Sequence, residues 1–491
     1  VGANDGMLHA FDGGMNAAGT TDDNGGTESF AYIPATALGH MGMLLFPYVE
    51  ADKGLQKFQH RYYVDGPITV ADAQVDGEWA TTLVGTTGAG GRAVFGLDVT
   101  TPGSFGTGDR LWEISDVNME LAEGIRNNIG HVLNKPVIVP VKEGDGVAWK
   151  AIFGNGVNSA NGRAVLFVVD MSSGEARMIE AVEDSATAPA GTNGLNSILV
   201  VDRWRPNTAD NPPQGQEFVR GRDGLADTVY GADQRGAVWK FDLTSNADSI
   251  SVPLFTSARQ TDAQNVVHRQ PIMGGMTAVT GLGDGVMLLF GTGSFSFDGE
   301  QLDTTQQALY GVNDINVGQP ATTLTPANLF PYTVEEEDDV RTLAAGTFTG
   351  ASSGWRITLP GSGERFVGNP TVSSGIVFMP TYLPSPPQSG CGVDGNNWLF
   401  GLNPLSGSAA LSNVRVGSPN GTSPGEGTAG MKLNTGGSSP VKDVNVAVVP
   451  RPEGGGAGPG GHACWMVVNV AGSAPLYMPY PCGRQSWRQV Q

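Results

Sequence analysis

Apolar and polar positions follow one pattern that occurs seven times along this chain. Each copy has an apolar run, a short turn of small polar residues, and a second apolar and aromatic run that closes on Asp or Asn. In the first copy, Asp5-Gly6 separates two apolar runs and predicts a type I′ hairpin turn. The other copies are Thr81–Gly103, Ala151–Glu175, Thr228–Thr244, Leu288–Asp314, Ile376–Gly407 and Cys464–Pro481.

A further apolar run, introduced by Pro or polar residues, precedes most of these copies. Each unit is therefore predicted to be a four-stranded antiparallel meander. Seven such units predict an all-β fold, an irregular seven-bladed β-propeller whose sheets pack radially. The propeller is predicted as a single domain over residues 1–491. A pair of β-sandwiches is the alternative, but it does not predict the recurrent strand that closes on Asp.

Insertions interrupt the repeated pattern. Residues 13–58 and 119–130 have helical spacing, although Pro47 would break the first helix. The acidic run Val334–Val340 is predicted to be a solvated loop. The alternative is that this run binds a basic patch on a partner. Four polar stretches are predicted as loops on the propeller faces, at residues 183–194, 205–216, 334–354 and 451–462.

The composition supports many short strands and tight turns. Glycine contributes 72 and proline 31 of the 491 residues, and hydrophobic residues still make up 40%. Acidic residues number 48 against 28 basic ones, a net charge of −20 that opposes nucleic-acid binding by this chain alone. Because no run of about 18 apolar residues occurs, no membrane-spanning segment is expected. The abrupt start indicates the C-terminal part of a longer precursor.

The cysteines indicate an oxidising compartment. Cys391, Cys464 and Cys482 lie in the last fifth of the chain, and none form a Cys-x-x-Cys pair, which argues against a zinc site. One disulfide with one thiol left over is the simplest arrangement. Cys464–Cys482 is the local pairing, but Cys391 could take either partner.

Two enzyme-like motifs lack the surroundings that their chemistry needs. Gly421–Gly425 matches Gly-x-Ser-x-Gly, but Pro424 has no N–H to offer an oxyanion hole. Gly456–Gly461 matches Gly-x-Gly-x-x-Gly, but no helix follows to meet a phosphate. The six histidines show no metal-binding spacing. We therefore predict that the chain has no catalytic residues and is not an enzyme.

Several stretches together resemble one known family. Four stretches are similar, in this order, to parts of the C-terminal propeller of PilC/PilY-type type IV pilus tip proteins. They are GANDGMLHAFDGG, GNGVNSANGRAVLFVVD, DGLADTVYGADQRGAVWKFDL and GRQSWRQV. The resemblance covers essentially the whole chain. It implies a bacterial protein of the outer membrane and pilus surface that promotes pilus assembly, controls retraction and contacts minor pilins at the tip. It also implies adhesion to host or abiotic surfaces, and a variable N-terminal region that would precede this propeller.

The resemblance also implies a calcium loop that would switch between pilus extension and retraction. In the family this loop is EF-hand-like, and calcium takes six to eight oxygen ligands. Asp223 and Asp227 match its last two carboxylates, and Leu225 falls where a backbone carbonyl would bind. The first two ligand positions hold Val219 and Gly221 instead.

Calcium would therefore need further oxygens, from Asp210 or Asn211. The alternative is a Gly-Asp turn that leads into a strand. A second acidic turn, Asp22–Gly26, is predicted to be a solvated loop without a metal.

Two other functions remain as alternatives. One is an extracellular scaffold of a filament or matrix without pili. The other is a quinoprotein dehydrogenase, a propeller enzyme that binds pyrroloquinoline quinone over calcium, but this chain has no adjacent cysteines and fewer blades, so no quinone is expected. The blade tryptophans are instead predicted to pack between sheets; they are Trp112, Trp149, Trp239 and Trp398.

Overall fold

Strands and turns make up most of the structure, which is a computed structural model. It describes residues 1–15, 19–21, 23–45, 60–183, 191–203, 205–206, 218–219, 223–261, 267–344, 346, 348–385, 395–435, 439–450 and 464–480. The chain divides into two compact units. The first comprises Val1–Leu254, Thr261–His268 and Val317–Thr323, and the second comprises Phe255–Gln260, Arg269–Asn316 and Leu324–Gln491.

Helices are few and short in the described residues. They are α1 (Ala35–Leu38) and α2 (Glu123–Asn128), which lie inside the two predicted insertions. Single 3₁₀ turns occur at Met41–Leu45, Gly88–Gly90, Pro102–Ser104, Thr107–Asp109, Leu282–Asp284, Glu300–Leu302 and Pro326–Asn328. No helix in this described part of the chain has the length and hydrophobicity of a membrane-spanning segment.

The first sixteen described strands lie in the first unit. They are β1 (Leu8–Phe11), β2 (Glu28–Tyr32), β3 (Ile68–Val75), β4 (Glu78–Thr86), β5 (Ala93–Asp98), β6 (Arg110–Ser115), β7 (Val137–Glu143), β8 (Gly146–Gly154), β9 (Ala164–Asp170), β10 (Ala176–Ala181), β11 (Leu195–Val201), β12 (Arg205–Pro206), β13 (Phe218–Val219), β14 (Thr228–Asp233), β15 (Ala237–Asp242) and β16 (Ser249–Ile250). Their sheets run in the orders β1-β2, β3-β4-β5-β6, β16-β10-β9-β8-β7, β11-β14-β15 and β12-β13. Pairing is antiparallel except between β10 and β16.

The remaining strands follow in chain order. They are β17 (Phe255–Thr256), β18 (Arg259–Thr261), β19 (Val267–Arg269), β20 (Met276–Thr280), β21 (Val286–Gly291), β22 (Ala308–Asp314), β23 (Phe330–Tyr332), β24 (Val334–Glu337), β25 (Val340–Leu343), β26 (Gly354–Thr358), β27 (Thr371–Ser373), β28 (Ile376–Pro384), β29 (Gly395–Leu402), β30 (Arg415–Val416), β31 (Thr428–Leu433), β32 (Asn445–Pro450), β33 (Cys464–Asn469) and β34 (Leu476–Tyr480). The second unit has three large sheets, ordered β20-β21-β22-β26-β23, β24-β25-β31-β29-β28-β27 and β30-β34-β33-β32.

The repeated sequence pattern corresponds to these sheets, and the all-β prediction is confirmed. Six of the predicted apolar-turn-apolar copies are the antiparallel pairs β4–β5, β8–β9, β14–β15, β21–β22, β28–β29 and β33–β34. In its sheet, each of these six pairs is also joined by the strand that precedes it: β3, β7, β11, β20, β27 and β32, respectively. The first copy differs, because β1 pairs with β2, which lies within the insertion predicted at residues 13–58.

The Asp or Asn that closes six of the seven copies has a structural role that recurs. Its side-chain oxygen accepts the backbone N–H two residues later, an Asx-turn that ends the strand and reverses the chain. The donor-acceptor pairs are Gly14 to Asp12 (2.7 Å), Thr100 to Asp98 (2.9 Å), Ser172 to Asp170 (3.0 Å), Thr244 to Asp242 (2.8 Å), Asn316 to Asp314 (3.0 Å) and Leu405 to Asn403 (3.0 Å).

The prediction of a type I′ turn at Asp5-Gly6 is wrong. The Ala3 N–H donates to the Met7 carbonyl at 3.0 Å, which encloses three residues instead of two. Only Gly6 has a left-handed backbone conformation (φ 99°), whereas a type I′ turn requires it at both central residues. The Asp5 carboxylate accepts the Met7 N–H at 3.0 Å and stabilises this wider turn. A three-residue hairpin loop with Gly in the left-handed position follows the other common pattern.

The prediction that residues 334–354 are a loop is wrong for the first half of this stretch. Val334–Glu337 and Val340–Leu343 form the hairpin β24–β25, which extends the sheet through β31, and Gly354 begins β26. The acidic side chains Glu335, Glu336 and Glu337 are exposed, so the run is solvated as predicted, but within a strand. Arg341 holds the hairpin, because it is 1% exposed and forms an ion pair with the buried Glu364.

The core lies between facing sheets. In the first unit, one face of the β7–β10 sheet packs on β11, β14 and β15 through Ile152, Leu166 and Trp239. Its other face packs on the β3–β6 sheet through Ala151 and Phe153. Trp112, Trp239 and Trp398 are buried, as predicted, and Trp149 is partly buried against the second of these clusters.

One buried amide organises the motif Gly-Asn-Gly at residues 154–156. Asn155 is fully buried, and its Oδ1 accepts the N–H groups of Val165 (3.0 Å) and Leu195 (2.9 Å). Its Nδ2 donates to the carbonyls of Asn128 (2.7 Å) and Arg163 (2.8 Å). The side chain therefore joins α2, β9 and β11, and the motif is explained as structure.

Candidate functional site

A cavity of about 830 Å³ lies in the first unit, at one end of the β7–β10 sheet. Six charged residues line it, including Lys142 and Glu175. The other four, one from each strand, lie on one face of the sheet: Glu143, Lys150, Asp170 and Arg177. The register places them on one face, because Lys150 pairs with Asp170, and Arg177 pairs with Val168, two residues before Asp170. Leu243 and Thr244, which follow β15, form part of the cavity wall. We call Glu143, Lys150, Asp170 and Arg177 the charge row.

Charges of alternating sign stabilise this row. The Lys150 Nζ lies 2.9 Å from Glu143 Oε1 and 3.0 Å from Asp170 Oδ2. Burial alone would lower the pKa of Lys150, but its hydrogen bonds to Glu143 and then Asp170 outweigh burial and raise that pKa. Burial alone would raise the pKa of Asp170, but the backbone N–H of Ser173 and then Lys150 lower it. Both groups are therefore charged at neutral pH.

The fourth member of the row holds the cavity wall. The Arg177 Nη2 donates to the carbonyls of Ser245 (2.5 Å) and Ala247 (2.9 Å), on the segment after β15. The row therefore links the two sides of the cavity. All four charged groups have a partner, so the arrangement suits binding of a polar ligand more than proton transfer. The sequence pattern did not single out these residues, although Asp170 was visible as a strand-closing acid.

The predicted calcium residues lie at the loop that enters β14. Asp227 is 5% exposed, and both of its oxygens lie 3.2 Å from the backbone N–H of Arg203; its Oδ1 also accepts the Thr228 hydroxyl at 2.7 Å. Asp223 is exposed, and its Oδ1 accepts the Leu225 N–H at 2.9 Å. The described part of this loop thus supplies two carboxylates that already accept N–H or O–H groups. Alone, these are too few oxygens for calcium.

The remaining predicted ligands cannot be placed in this loop. Asp210, Asn211 and Gly221 lie outside the described residues, as does the side chain of Val219. No group of three or more His, Cys, Asp or Glu residues suited to a metal ion occurs within the described ranges. Calcium binding therefore stays a prediction.

A neighbour that the sequence analysis missed is Asp202, at the end of β11. Its Oδ2 accepts the Gly224 N–H at 2.9 Å, while Asp227 accepts the Arg203 N–H, so carboxylates cross-link the two segments in both directions. The signal was present in the sequence, because Asp202 closes an apolar run in the same way as the repeated acids do. The Ala226 N–H donates to the Pro140 carbonyl at 2.9 Å, which connects this loop to β7, beside Val141 in the cavity wall.

Other predicted positions have structural explanations or lie outside the described residues. Ser423 of the Gly421–Gly425 motif donates its hydroxyl to the Ser412 carbonyl at 2.9 Å. Cys464 is in a disulfide, but both candidate partners, Cys391 and Cys482, are outside the described ranges, so the pairing stays a prediction. The stretch 456–461 and Asp22 are also outside them.

A histidine cluster in the first hairpin was not predicted. The His9 Nε2 lies 2.8 Å from Asp5 Oδ2, and the His9 Nδ1 lies 2.5 Å from Glu28 Oε1. Hydrogen bonds to Glu28 and then Asp5 raise the pKa of His9. Because both ring nitrogens can donate only in the imidazolium form, the protonated ring joins the turn to β2.

We expect the pKa of His9 in the folded chain to exceed 6.5, its ordinary value. A raised pKa means that the stabilisation is complete below about pH 6.5 and is lost as the pH rises through the folded-state pKa. NMR titration of the imidazole Cε1–H measures it, with His9→Asn identifying the resonance. Glu28→Gln should lower the pKa more than Asp5→Asn does. A pKa at or below 6.5 in the unsubstituted chain would contradict the expectation.

The repeated antiparallel sheets and their shared strand-closing turns define an all-β repeat protein. Within that class, the chain belongs to the PilY1 family: the model of the PilY1 beta-propeller domain matches residues 1–346. The predicted propeller and the predicted family are therefore confirmed.

Curated relatives agree with this assignment. A type IV pilus biogenesis factor PilY1 homolog of Xylella fastidiosa is 34% identical over 535 residues, covering 100% of this chain and 33% of that protein. The type IV pilus biogenesis factor PilY1 of Pseudomonas aeruginosa strain PAO1 is 30% identical over 452 residues, covering 83% of this chain and 34% of that protein. The chain thus spans about a third of the length of these relatives.

A solved structure shares the fold. The crystal structure of the Pseudomonas aeruginosa PilY1 C-terminal domain matches with a TM-score of 0.64 at 24% sequence identity. The match covers 98% of this chain and 92% of that chain.

Proposed function

We propose that this chain is the propeller module of a type IV pilus biogenesis factor, and that it acts by binding instead of catalysis. It contacts minor pilins at the pilus tip, takes part in assembly and in the control of retraction, and contributes to adhesion from the outer cell surface. The observation that carries the proposal is the similarity, over the whole chain, to a protein named as a type IV pilus biogenesis factor.

The geometry supports a binding role. The cavity beside the charge row is within the usual size of ligand-binding clefts, and all four charged groups are held by partners. Held charges give specificity to binding, because a partner must match their positions. Calcium at Asp223 and Asp227 remains a proposal within this function, and it needs ligands from outside the described residues.

Deleting the segment that encodes residues 1–491 in the bacterium that makes the protein tests the proposal. We expect loss of surface pili and of twitching, restored when the full-length gene is supplied. The purified chain should also co-elute with purified minor pilins of the same bacterium. Normal piliation and twitching in the deletion strain, together with no co-elution, would refute it.

A further inference from the structure

The β3–β4 hairpin presents an exposed face that carries two large apolar side chains. Cross-strand partners share a face, and the register pairs Val70 with Leu83, Asp72 with Thr81, and Gln74 with Trp79. Trp79 is 63% exposed and Val70 is 56% exposed. Tryptophan side chains are large and often become buried when a partner binds, and they contribute much of the binding free energy of many interfaces. We call Val70, Asp72, Gln74 and Trp79 the hairpin face.

The indole ring of Trp79 is held in place. It packs edge to face against Trp149 of β8, with ring centroids 5.5 Å apart and an interplanar angle of 72°. The turn before it is fixed as well, because the Asp76 N–H donates to the Ser172 hydroxyl at 2.9 Å. A side chain that is already ordered loses little conformational entropy when a partner covers it. Trp79 is therefore suited to be a binding anchor.

The charge around this anchor has one sign. Residues 62–91 contain Asp65, Asp72, Asp76 and Glu78 and no Lys or Arg. Asp72 is exposed within the hairpin face, and Asp76 and Glu78 are exposed at the tip of the same hairpin. An acidic rim favours a partner with basic groups at matching positions.

We propose, resting on the pilus function above, that the hairpin face is a docking surface for a protein partner that presents apolar side chains flanked by Lys or Arg. One apolar side chain packs on Trp79 and a second on Val70, which lies four residues, about 13 Å, further along the hairpin. The cations lie near Asp72, Asp76 and Glu78. A second copy of this chain fits poorly, because its net charge is −20. An anionic lipid surface is opposed by the same repulsion.

Site-specific photo-crosslinking in the bacterium that makes the protein tests this docking surface. The probe is p-benzoylphenylalanine, placed at position 79 of the full-length protein. Leu302, which is 61% exposed in the other unit, is the matched control position. We expect a crosslink to a protein at position 79, at least about tenfold above position 302, and a crosslinked peptide with net positive charge.

Charge reversal separates this docking surface from a merely apolar patch. Asp76→Lys with Glu78→Lys should lower the crosslink yield at position 79 about tenfold, because the basic partner is repelled. The matched control reverses two exposed acids elsewhere, Glu335→Lys with Glu337→Lys, and should leave the yield unchanged. With the captured partner purified, Trp79→Ala should weaken binding about 30-fold, as expected of an aromatic anchor.

Several results would overturn the docking surface. One is a crosslink yield at position 79 no higher than at position 302, and another is a crosslink to lipid, to a second copy or to a preceding segment of the same protein. An acidic crosslinked peptide, or a crosslink yield that the charge reversal leaves unchanged, would also overturn it. Failure here and failure of the pilus function can be told apart. If the segment deletion abolishes pili but position 79 captures nothing, only the docking surface is wrong. If a basic partner is captured but the deletion leaves pili normal, the pilus function is wrong.

Discussion

Asn155→Ala should lower the free energy of unfolding of this chain by about 3–5 kcal/mol. The side chain is fully buried and makes four hydrogen bonds to backbone groups of α2, the β9 region and β11. Truncation leaves two N–H groups and two carbonyls without partners, and each unsatisfied buried group costs about 1–3 kcal/mol before any water enters. Urea unfolding followed by tryptophan fluorescence measures the loss.

Asn161→Ala is the matched control, six positions along the same motif. Asn161 is exposed, and its Nδ2 donates to the Asn128 side chain at 3.0 Å. Loss of such an exposed bond should cost less than about 1 kcal/mol. If the two variants unfold at the same urea concentration, the role assigned to Asn155 is incorrect.

Glu364→Leu should cost about 3–5 kcal/mol, because it leaves the buried Arg341 cation without its main partner. The two side chains are 0% and 1% exposed, and the guanidinium bonds the carboxylate at 2.6 and 2.9 Å. Arg341 also stacks on Trp398, with its guanidinium carbon 3.6 Å from the ring centroid, so it has little freedom to reach water. The expected result is a lower midpoint of urea unfolding, followed by tryptophan fluorescence.

Two further variants determine whether charge is the cause. Glu336 is the other acidic partner of Arg341, and its side chain is 40% exposed. Glu336→Ala should therefore cost less than about 1 kcal/mol. Glu364→Leu combined with Arg341→Met should recover most of the loss, because apolar pairs often replace buried ion pairs at little cost. A double variant as unstable as Glu364→Leu alone would point to lost packing instead of an unpaired charge.

The period-2 pattern and the turn residues were sufficient to predict the sheets. Apolar runs of the right length, interrupted by Gly and Asn, can form the β8–β9 pair and its equivalents whatever lies next to them in space. The hairpin β24–β25 could not be predicted in this way. Its acidic run resembles a loop, and its contacts are distant in sequence: β25 pairs with β31, and Arg341 bonds Glu364, a residue 23 positions away.

The candidate site was harder to predict for the same reason. Glu143, Lys150 and Asp170 are ordinary charges in the sequence, and they form a row only because the strand register brings them together. The type I′ prediction at Asp5 failed because the hairpin encloses three residues instead of two, and the Asp5 carboxylate accepts the Met7 N–H inside this wider turn. Asp223 and Asp227 were found from family resemblance alone, and the strand-closing position of Asp202 was overlooked.

The strand-closing turns allow this molecule to change its electrostatic surface while keeping its architecture. The turn needs one side-chain oxygen, and Asn403 supplies it as an amide where Asp98 and Asp242 supply it as a carboxylate. Exchanging Asp for Asn at such positions removes a negative charge and keeps the hydrogen bond that reverses the chain. Relatives can therefore diverge in which partners they attract or repel while retaining the same set of sheets.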